Sequence, residues 1–198
     1  MFIYDKKLQF PVKIKNTDPR LASIIITQYG GPDGELGASL RYLSQRYSMP
    51  YPELKGLLTD IGTEELGHLE MIGAIVHQLT RNLTDSQIEN SNFAPYFVDH
   101  SAGVFPTAAA GFPWNAASMQ VKGDPITDLT EDLAAEQKAR TTYDNILRLS
   151  DDPDVNQVIQ FLRQREIVHF QRFGEALQLL KERLDQKNLY AINPALDR

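Results

Sequence analysis

The chain has 198 residues, of which 42% are hydrophobic and 23% charged, with a formal net charge of −6 and a pI near 5.2. This composition is typical of one globular domain, here 1–198, and the acidic balance gives no reason to expect nucleic acid or an anionic membrane as a partner. No cysteine occurs, which excludes disulfides, thiolate metal ligands and thiol nucleophiles.

The N-terminal residues 1–18 alternate between apolar and charged and end in Asp18-Pro19, which predicts an extended arm ahead of a helix. Lysines are spread through this arm without a continuous apolar stretch, so we expect no signal peptide and synthesis in the cytoplasm. The longest aliphatic run, Ile24–Ile26, is far too short to span a membrane.

Helical periodicity begins near Arg20 and continues to Tyr47, with a break at the glycine- and proline-rich residues 30–34. A second helix is predicted from Pro52 to about Leu79, with proline suited to its first turn. We therefore read the first helical path as one element with a kink or a short loop, followed by a long helix.

Residues 80–125 hold four prolines and six aromatic residues, together with several glycines and alanines. A connection this long is often functional, as a lid or crossover, although a plain link between two hairpins is an equally open interpretation. Helices are predicted again over Ile126–Ser150 and after Asp151-Asp152-Pro153. The pattern predicts an all-α bundle of four principal helices with a long crossover between the second and third.

The strongest motif is Glu-x-x-His, which occurs at Glu65-Leu66-Gly67-His68 and at Glu166-Ile167-Val168-His169. Residues three apart project from one face of a helix, so a carboxylate and an imidazole can reach the same ion. Both motifs lie in apolar stripes, where carboxylates are costly unless they are paired, protonated or bound to metal. A buried Glu–His hydrogen bond would account for one such motif, whereas two motifs on separate helices favour metal binding.

Each of the other two helices carries one acidic residue, Glu35 or Glu136, on an apolar face. One carboxylate per helix, with a histidine added on two of them, is the arrangement of ferritin-like di-iron and di-manganese bundles. The sequence therefore predicts a ferritin-like four-helix bundle with a two-metal site, whose ligands are Glu35, Glu65, His68, Glu136 and His169.

Four segments resemble the manganese catalase family: GELGASLRYL, TEELGHLEMIG, AAEQKAR and REIVHFQRFGEAL. The similarity covers nearly the whole chain and points most closely to the short spore-coat branch of that family. It implies two manganese ions per chain, with Glu65 bridging them. One ion would be bound by Glu35, Glu65 and His68, and the other by Glu65, Glu136 and His169.

The same resemblance implies that the protein disproportionates hydrogen peroxide to water and dioxygen in association with the spore coat. Glu166 would stand just outside the metals as a base, and Tyr42 would hydrogen-bond beside them. Iron remains the alternative metal, because carboxylates and imidazoles suit both ions. The implied partners are other coat proteins and further copies of this chain, with a hexamer as the first expectation.

Two positions depart from the family pattern. Some members have an arginine where this chain has Ala135, and others have a lysine where it has Tyr143. Groups next to the ligands orient them and tune the metals, so the rate of turnover can differ even with every ligand present. Glu64 and Glu70 adjoin the ligands but point off their face, and we expect them to be solvated or to lie just beyond the ligands.

Two other functions remain open at this stage. A rubrerythrin-like di-iron oxidase would use the same ligands, and a structural coat protein could use metals only to rigidify the bundle. Because fold and function are separable, the resemblance alone does not choose among them.

Overall fold

The structure, a computed structural model, describes residues 3, 5 and 7–185. Within them the chain is all-helical apart from one isolated β-bridge between Thr107 and Pro113, so the all-α prediction is confirmed. None of the helices in this part of the chain is long and apolar enough to cross a membrane. The seven α-helices are α1 Pro19–Gly30, α2 Glu35–Gln45, α3 Pro52–Thr80, α4 Asp85–Glu89, α5 Ala94–His100, α6 Pro125–Leu149 and α7 Pro153–Asp185.

The bundle is formed by two hairpin-like layers. One layer is the broken path of α1 and α2 packed along α3, and the other is α6 packed along α7. The layers meet where α3 contacts α7 and where α1 and α2 contact α6. The predicted bundle of four principal helical paths is thereby confirmed.

The predicted break between α1 and α2 decides where the second helix starts. The N–H of Gly31 donates to the Thr27 carbonyl oxygen at 2.8 Å and ends α1, and the N–H of Gly34 donates to the Gly31 carbonyl oxygen at 3.1 Å. Glu35 follows at once as the first residue of α2. The turn thus places a carboxylate at a helix N-terminus, where the helix dipole favours negative charge.

The connection between α3 and α6 contains the two short helices α4 and α5, which were not predicted from the sequence. Its returning end is fixed to α2 by two buried side chains. Arg41 donates to the Ser118 carbonyl oxygen at 3.2 Å, and Gln45 donates to the Gln120 carbonyl oxygen at 3.0 Å. The crossover is therefore a packed part of the bundle.

The described part of the N-terminal arm contains neither helix nor strand, while residues 1, 2, 4 and 6 of the predicted arm lie outside the described residues. The arm docks along α3 through the side-chain amide of Gln78, which accepts from the Ile14 N–H at 2.8 Å and donates to the Val12 carbonyl oxygen at 2.9 Å. Phe10 stacks on Phe161 of α7, with 4.9 Å between ring centroids.

Two apolar clusters fill the bundle, one toward each end. One is formed by α1 with the C-terminal part of α3 and the N-terminal part of α7, and includes Ile25, Ile75 and Ile159. The other is formed by α2 with the N-terminal part of α3 and the C-terminal part of α7, and includes Leu58 and Phe173. The middle turns of α3, α6 and α7 lie between these clusters, and they carry the polar residues described below.

Two helical glycines allow a test of how closely the crossover packs against the bundle. A Cβ on Gly30 would lie 2.3 to 2.5 Å from backbone atoms of Pro106 and Thr107, whereas a Cβ on the exposed Gly56 would meet nothing within 4 Å. We expect Gly30→Ala to destabilise the protein by about 1–3 kcal/mol, because backbone must move. Gly56→Ala should stabilise it by about 0.5–1 kcal/mol through helix propensity alone.

Chemical unfolding of both variants beside the wild type measures these changes. Opposite signs are expected, and a Gly30→Ala protein as stable as Gly56→Ala would show that the crossover does not rest on α1.

Candidate metal centre

The predicted site residues come from the middle of the bundle and are all brought together. Glu35 begins α2, Glu65 and His68 lie midway along α3, and Glu136 lies midway along α6. Glu166 and His169 lie midway along α7. Each of these six side chains has 1% or less of its surface exposed, so the site is fully enclosed within the described residues.

The ligand atoms of these six residues form two overlapping groups. In each group one atom per residue lies within 4.8 Å of all the others. Glu65 and Glu166 belong to both groups, so the cluster has two lobes with a shared centre. The first lobe adds Glu35 and His68 to the shared pair, and the second adds Glu136 and His169. This proximity is what the predicted ligand assignment requires, and the assignment itself remains a prediction.

Glu65 lies between the two histidines. Its Oε2 is 2.6 Å from Nδ1 of His68, and its Oε1 is 2.8 Å from Nδ1 of His169. The two imidazole rings are stacked, with 5.6 Å between their centroids. Both rings therefore turn the same nitrogen, Nδ1, toward Glu65, which lies between them.

Each outer carboxylate is held by a tyrosine from the opposite layer. Tyr42 on α2 donates to Oε1 of Glu136 on α6, and Tyr143 on α6 donates to Oε1 of Glu35 on α2. Both tyrosines are fully buried. In the sequence Tyr143 stands out only as a departure from the family pattern, and its contact with Glu35 was not predicted, although Tyr143 lies two turns beyond Glu136 on the same face of α6.

Burial and mutual charge shift the pKa values of the whole cluster. Burial raises the pKa of Glu35, Glu136 and Glu166 above the usual range of a carboxyl group. Burial would also raise the pKa of Glu65, but the charges of His169 and His68 outweigh it and hold that pKa well below the usual range. Raised pKa values at the surrounding carboxyl groups and a lowered one at Glu65 favour a small buried charge.

Burial has the opposite effect on the pKa values of the two histidines. Burial alone would lower their pKa, but contact with Glu65 and the neighbouring carboxylates outweighs it. The pKa of His68 is raised to about 10 and that of His169 to about 12. Divalent cations bound here would replace these protons in neutralising the carboxylates. They would also compete with the protons for the same oxygen and nitrogen atoms.

The donor atoms fit a pair of divalent ions. Within the described part of the chain, six buried atoms of the cluster have no aligned hydrogen-bond partner: Glu65 Oε1, Glu136 Oε2, Glu166 Oε1, His169 Nδ1 and the two histidine Nε2 atoms, which lie beside Glu64. Buried polar atoms are rarely left unpaired, so such a concentration needs an explanation. Carboxylate oxygens and imidazole nitrogens are ligands that suit manganese and iron, and a metal site provides that explanation.

Glu64 lies beside both histidines of the cluster and is not solvated, which corrects one of the two alternatives offered by the sequence. Its side chain is only 15% exposed and lies beside both imidazoles, whereas Glu70 is exposed. Glu64 precedes His68 by four residues, so the two share a face of α3. That local spacing could have revealed the first contact, while the contact with His169 required knowing how α7 packs.

Residues 1–191 match the family model described as manganese-containing catalase. The chain belongs to the manganese catalase family. It is 52% identical over 190 residues to Protein CotJC of Bacillus subtilis, covering 96% of this chain and 100% of that protein. It is 33% identical over 190 residues to a probable manganese catalase of Clostridium acetobutylicum, covering 95% and 84% of the two chains.

The crystal structure of KatB, a manganese catalase from Anabaena, resembles this structure with a TM-score of 0.85 at 34% sequence identity, covering 91% of this chain and 81% of that one. Membership in the manganese catalase family and this structural likeness confirm the resemblance inferred from the sequence and the ferritin-like helical bundle. The family implies manganese as the metal, and the two buried Glu/His groups could hold it.

The four histidines of the chain allow a test of the ligand assignment. We expect His68→Ala and His169→Ala each to empty or weaken one metal subsite, because each removes an Nδ1 that faces Glu65. His77→Ala and His100→Ala should retain the wild-type metal content, since His77 is exposed and His100 stacks on Phe105. Elemental analysis of the four purified variants measures the difference, and equal metal content in all four would contradict the assignment.

Proposed function

We propose that this protein binds two manganese ions per chain and disproportionates hydrogen peroxide to water and dioxygen. The observation that carries the proposal is the doubling of the ligand set around Glu65, since each lobe has its own histidine and its own outer glutamate. One ion would need only one such set. A pair of manganese ions supplies two-electron redox chemistry, by which one peroxide is oxidised and the next is reduced.

The first task of the protein residues is to hold and orient the ligands. Tyr42 and Tyr143 fix one oxygen of each outer glutamate, which leaves the other oxygen of Glu136 without a hydrogen-bond partner within the described residues. Tyr143 provides Glu35 with a hydrogen-bond donor at a position where some family members have a lysine. This contact supports a working site in spite of that departure.

Glu166 is the residue proposed to move protons. Oxidation of one peroxide releases two protons and reduction of the other consumes two, so a group must store protons between the half-reactions. Glu166 belongs to both lobes, and its Oε1 lies 3.9 Å from Nδ1 of His68. Burial, followed by the charges of Glu35 and Glu65, raises the pKa of Glu166 well above the usual range. A carboxyl group with a raised pKa can hold a proton, donate it and take it back.

One observation favours a second candidate, a rubrerythrin-like di-iron oxidase. The same geometry that lets Glu166 serve both lobes also places its carboxylate among the ligand atoms of both groups, where it could bind a metal directly. The metal identity and the role of Glu166 therefore distinguish the two functions.

The proposed location is the spore coat, with other coat proteins as partners. Support comes from the 52% identity to Protein CotJC over its whole length and from the resemblance of the sequence motifs to the short spore-coat branch. A structural coat protein with little activity would share this location, so activity has to be measured separately.

The first test uses the wild-type protein produced with manganese supplied. We expect elemental analysis to give about two manganese ions per chain and an oxygen electrode to record dioxygen release on addition of peroxide. Two irons without dioxygen release would favour the oxidase. Two manganese ions without turnover would favour the structural role.

The second test concerns Glu166. We expect Glu166→Gln to retain both metals, because the amide keeps the shape of the side chain, and to lose peroxide turnover by a factor of about 10²–10⁴, which is typical of general acid–base groups. Metal content and initial dioxygen release, measured on the same preparation, test this directly.

Two results would contradict the assignment of Glu166. Loss of a metal would make Glu166 a direct ligand, as the iron-type site requires. Unchanged turnover with both metals bound would mean that another group transfers the protons. Tyr42 would be the next residue to substitute, because it donates to Glu136.

Assembly is the last part of the proposal. Large apolar side chains remain exposed on the crossover and the arm, including Val98 at 83%, Phe112 at 75% and Ile3 at 81%. Exposed apolar surface of this kind favours association, so we expect a homo-oligomer, with a hexamer as the first expectation. Multi-angle light scattering at micromolar concentration measures the mass, and a monomer would reject the proposal.

A further inference from the structure

We infer that Glu64 is a positioning residue. It holds both metal-binding imidazoles on the side of the rings opposite Glu65 and links them to the N-terminal arm. This inference rests on the proposed two-metal function and adds to it a residue that contacts both lobes without belonging to either ligand group.

The two oxygens of Glu64 contact one imidazole each. Oε1 lies 3.5 Å from Nε2 of His68, and Oε2 lies 3.1 Å from Nε2 of His169. These are ion-pair distances, and neither contact has the alignment of a regular hydrogen bond. Glu65 contacts both Nδ1 atoms on the opposite side of the rings. Successive glutamates of α3 therefore enclose the two rings from opposite sides.

This arrangement selects the nitrogen that can bind a metal. An imidazole whose Nε2–H points toward a carboxylate keeps the lone pair of Nδ1 available, and such a partner also makes the ring a stronger ligand. Since one carboxylate serves both rings, a change at Glu64 acts on the His68 and His169 subsites together. A separate partner for each ring would let the two subsites vary independently.

Glu64 is itself held firmly. Arg165 on α7 donates to Oε1 through Nε at 2.7 Å and to Oε2 through Nη2 at 3.2 Å. This two-pronged contact fixes the plane of the carboxylate as well as its position. Gln9 of the arm donates to Oε1 at 2.7 Å. Three elements, α3, α7 and the arm, thus meet at this one side chain.

The arm reaches Glu64 because the residues that follow Gln9 are docked on the bundle. Phe10 stacks on Phe161 of α7, and the backbone at Val12 and Ile14 is hydrogen-bonded by Gln78 of α3. Arg81 donates to the Ile14 carbonyl oxygen at 2.8 Å. The docked arm therefore supports the metal centre through Gln9 and Glu64.

The test compares Glu64→Ala and Glu64→Gln with the matched control Glu53→Gln. Glu53 also lies on α3 and forms an ion pair with an arginine of α7, Arg183, at 2.6 Å. It lies about four helical turns from His68. Full-length proteins are titrated with manganese against a competing chelator, and the electron paramagnetic resonance spectrum of bound manganese is recorded.

Glu64→Ala should weaken the binding of both ions by about 10–100-fold and alter the manganese spectrum, while Glu53→Gln changes neither. Glu64→Gln should weaken the two metal subsites unequally. Its single oxygen is expected to stay where Gln9 and Arg165 Nε donate, so its amide N–H groups face His169 and Arg165 Nη2. The His169 subsite should therefore be weakened more than the His68 subsite.

Wild-type affinity and spectrum in folded Glu64→Ala and Glu64→Gln would overturn the inference. If circular dichroism shows that these variants do not fold, the manganese affinity of Gln9→Ala and Arg165→Gln is measured instead. Smaller losses of affinity in the same direction support the role of Glu64, and unchanged affinity overturns it. A wild-type protein that binds manganese without turning over peroxide overturns the catalase proposal alone, since the readout here is metal binding. A wild-type protein that binds no manganese overturns both.

Discussion

The structure depends on one electrostatic constraint, which is that four glutamates lie buried together in the middle of a helical bundle. Carboxylates in such a place are strongly destabilising unless protons, cations or donors compensate them. Within the described residues the compensation comes from two charged imidazoles at Glu65 and from tyrosine hydroxyls at Glu35 and Glu136. These groups come from different helices, so the cluster also fixes how the helices are aligned. The apolar clusters toward the two ends of the bundle separate it from solvent.

The cluster also accounts for features that a plain four-helix bundle would not need. The glycine-rich break after α1 makes Glu35 the first residue of a helix, where its charge is better tolerated than at a helix centre. The crossover then returns against α2, where Arg41 and Gln45 bind its backbone, and the same helix carries Tyr42 to Glu136. One short helix thus connects Glu35, the tyrosine that donates to Glu136, and the segment that leads into α6.

The sequence predicted those parts of the site that follow from local spacing. The four principal helical paths follow from apolar periodicity, and the two Glu-x-x-His motifs follow from the geometry of one helical turn. Contacts between helices could not be predicted from local spacing. The hydrogen bond from the Tyr143 hydroxyl to Glu35 and the contact of Glu64 with His169 each join residues from different hairpins. The helices α4 and α5 were missed because five and seven residues are too few to establish a helical period.

The four buried glutamates are not equivalent, and the difference supports the role proposed for Glu166. Glu35 and Glu136 each accept a tyrosine hydroxyl, and Glu65 is paired with both imidazoles. Glu166 accepts no hydrogen bond from a tyrosine or an imidazole within the described residues, and its pKa is raised by burial and then by the charges of Glu35, Glu65 and Glu136. A carboxyl group with a tyrosine or imidazole donor loses that interaction or reorganises when its protonation changes. Glu166 can change protonation while the donors to the other three stay in place, which is the property a proton carrier needs beside metals that must remain fixed.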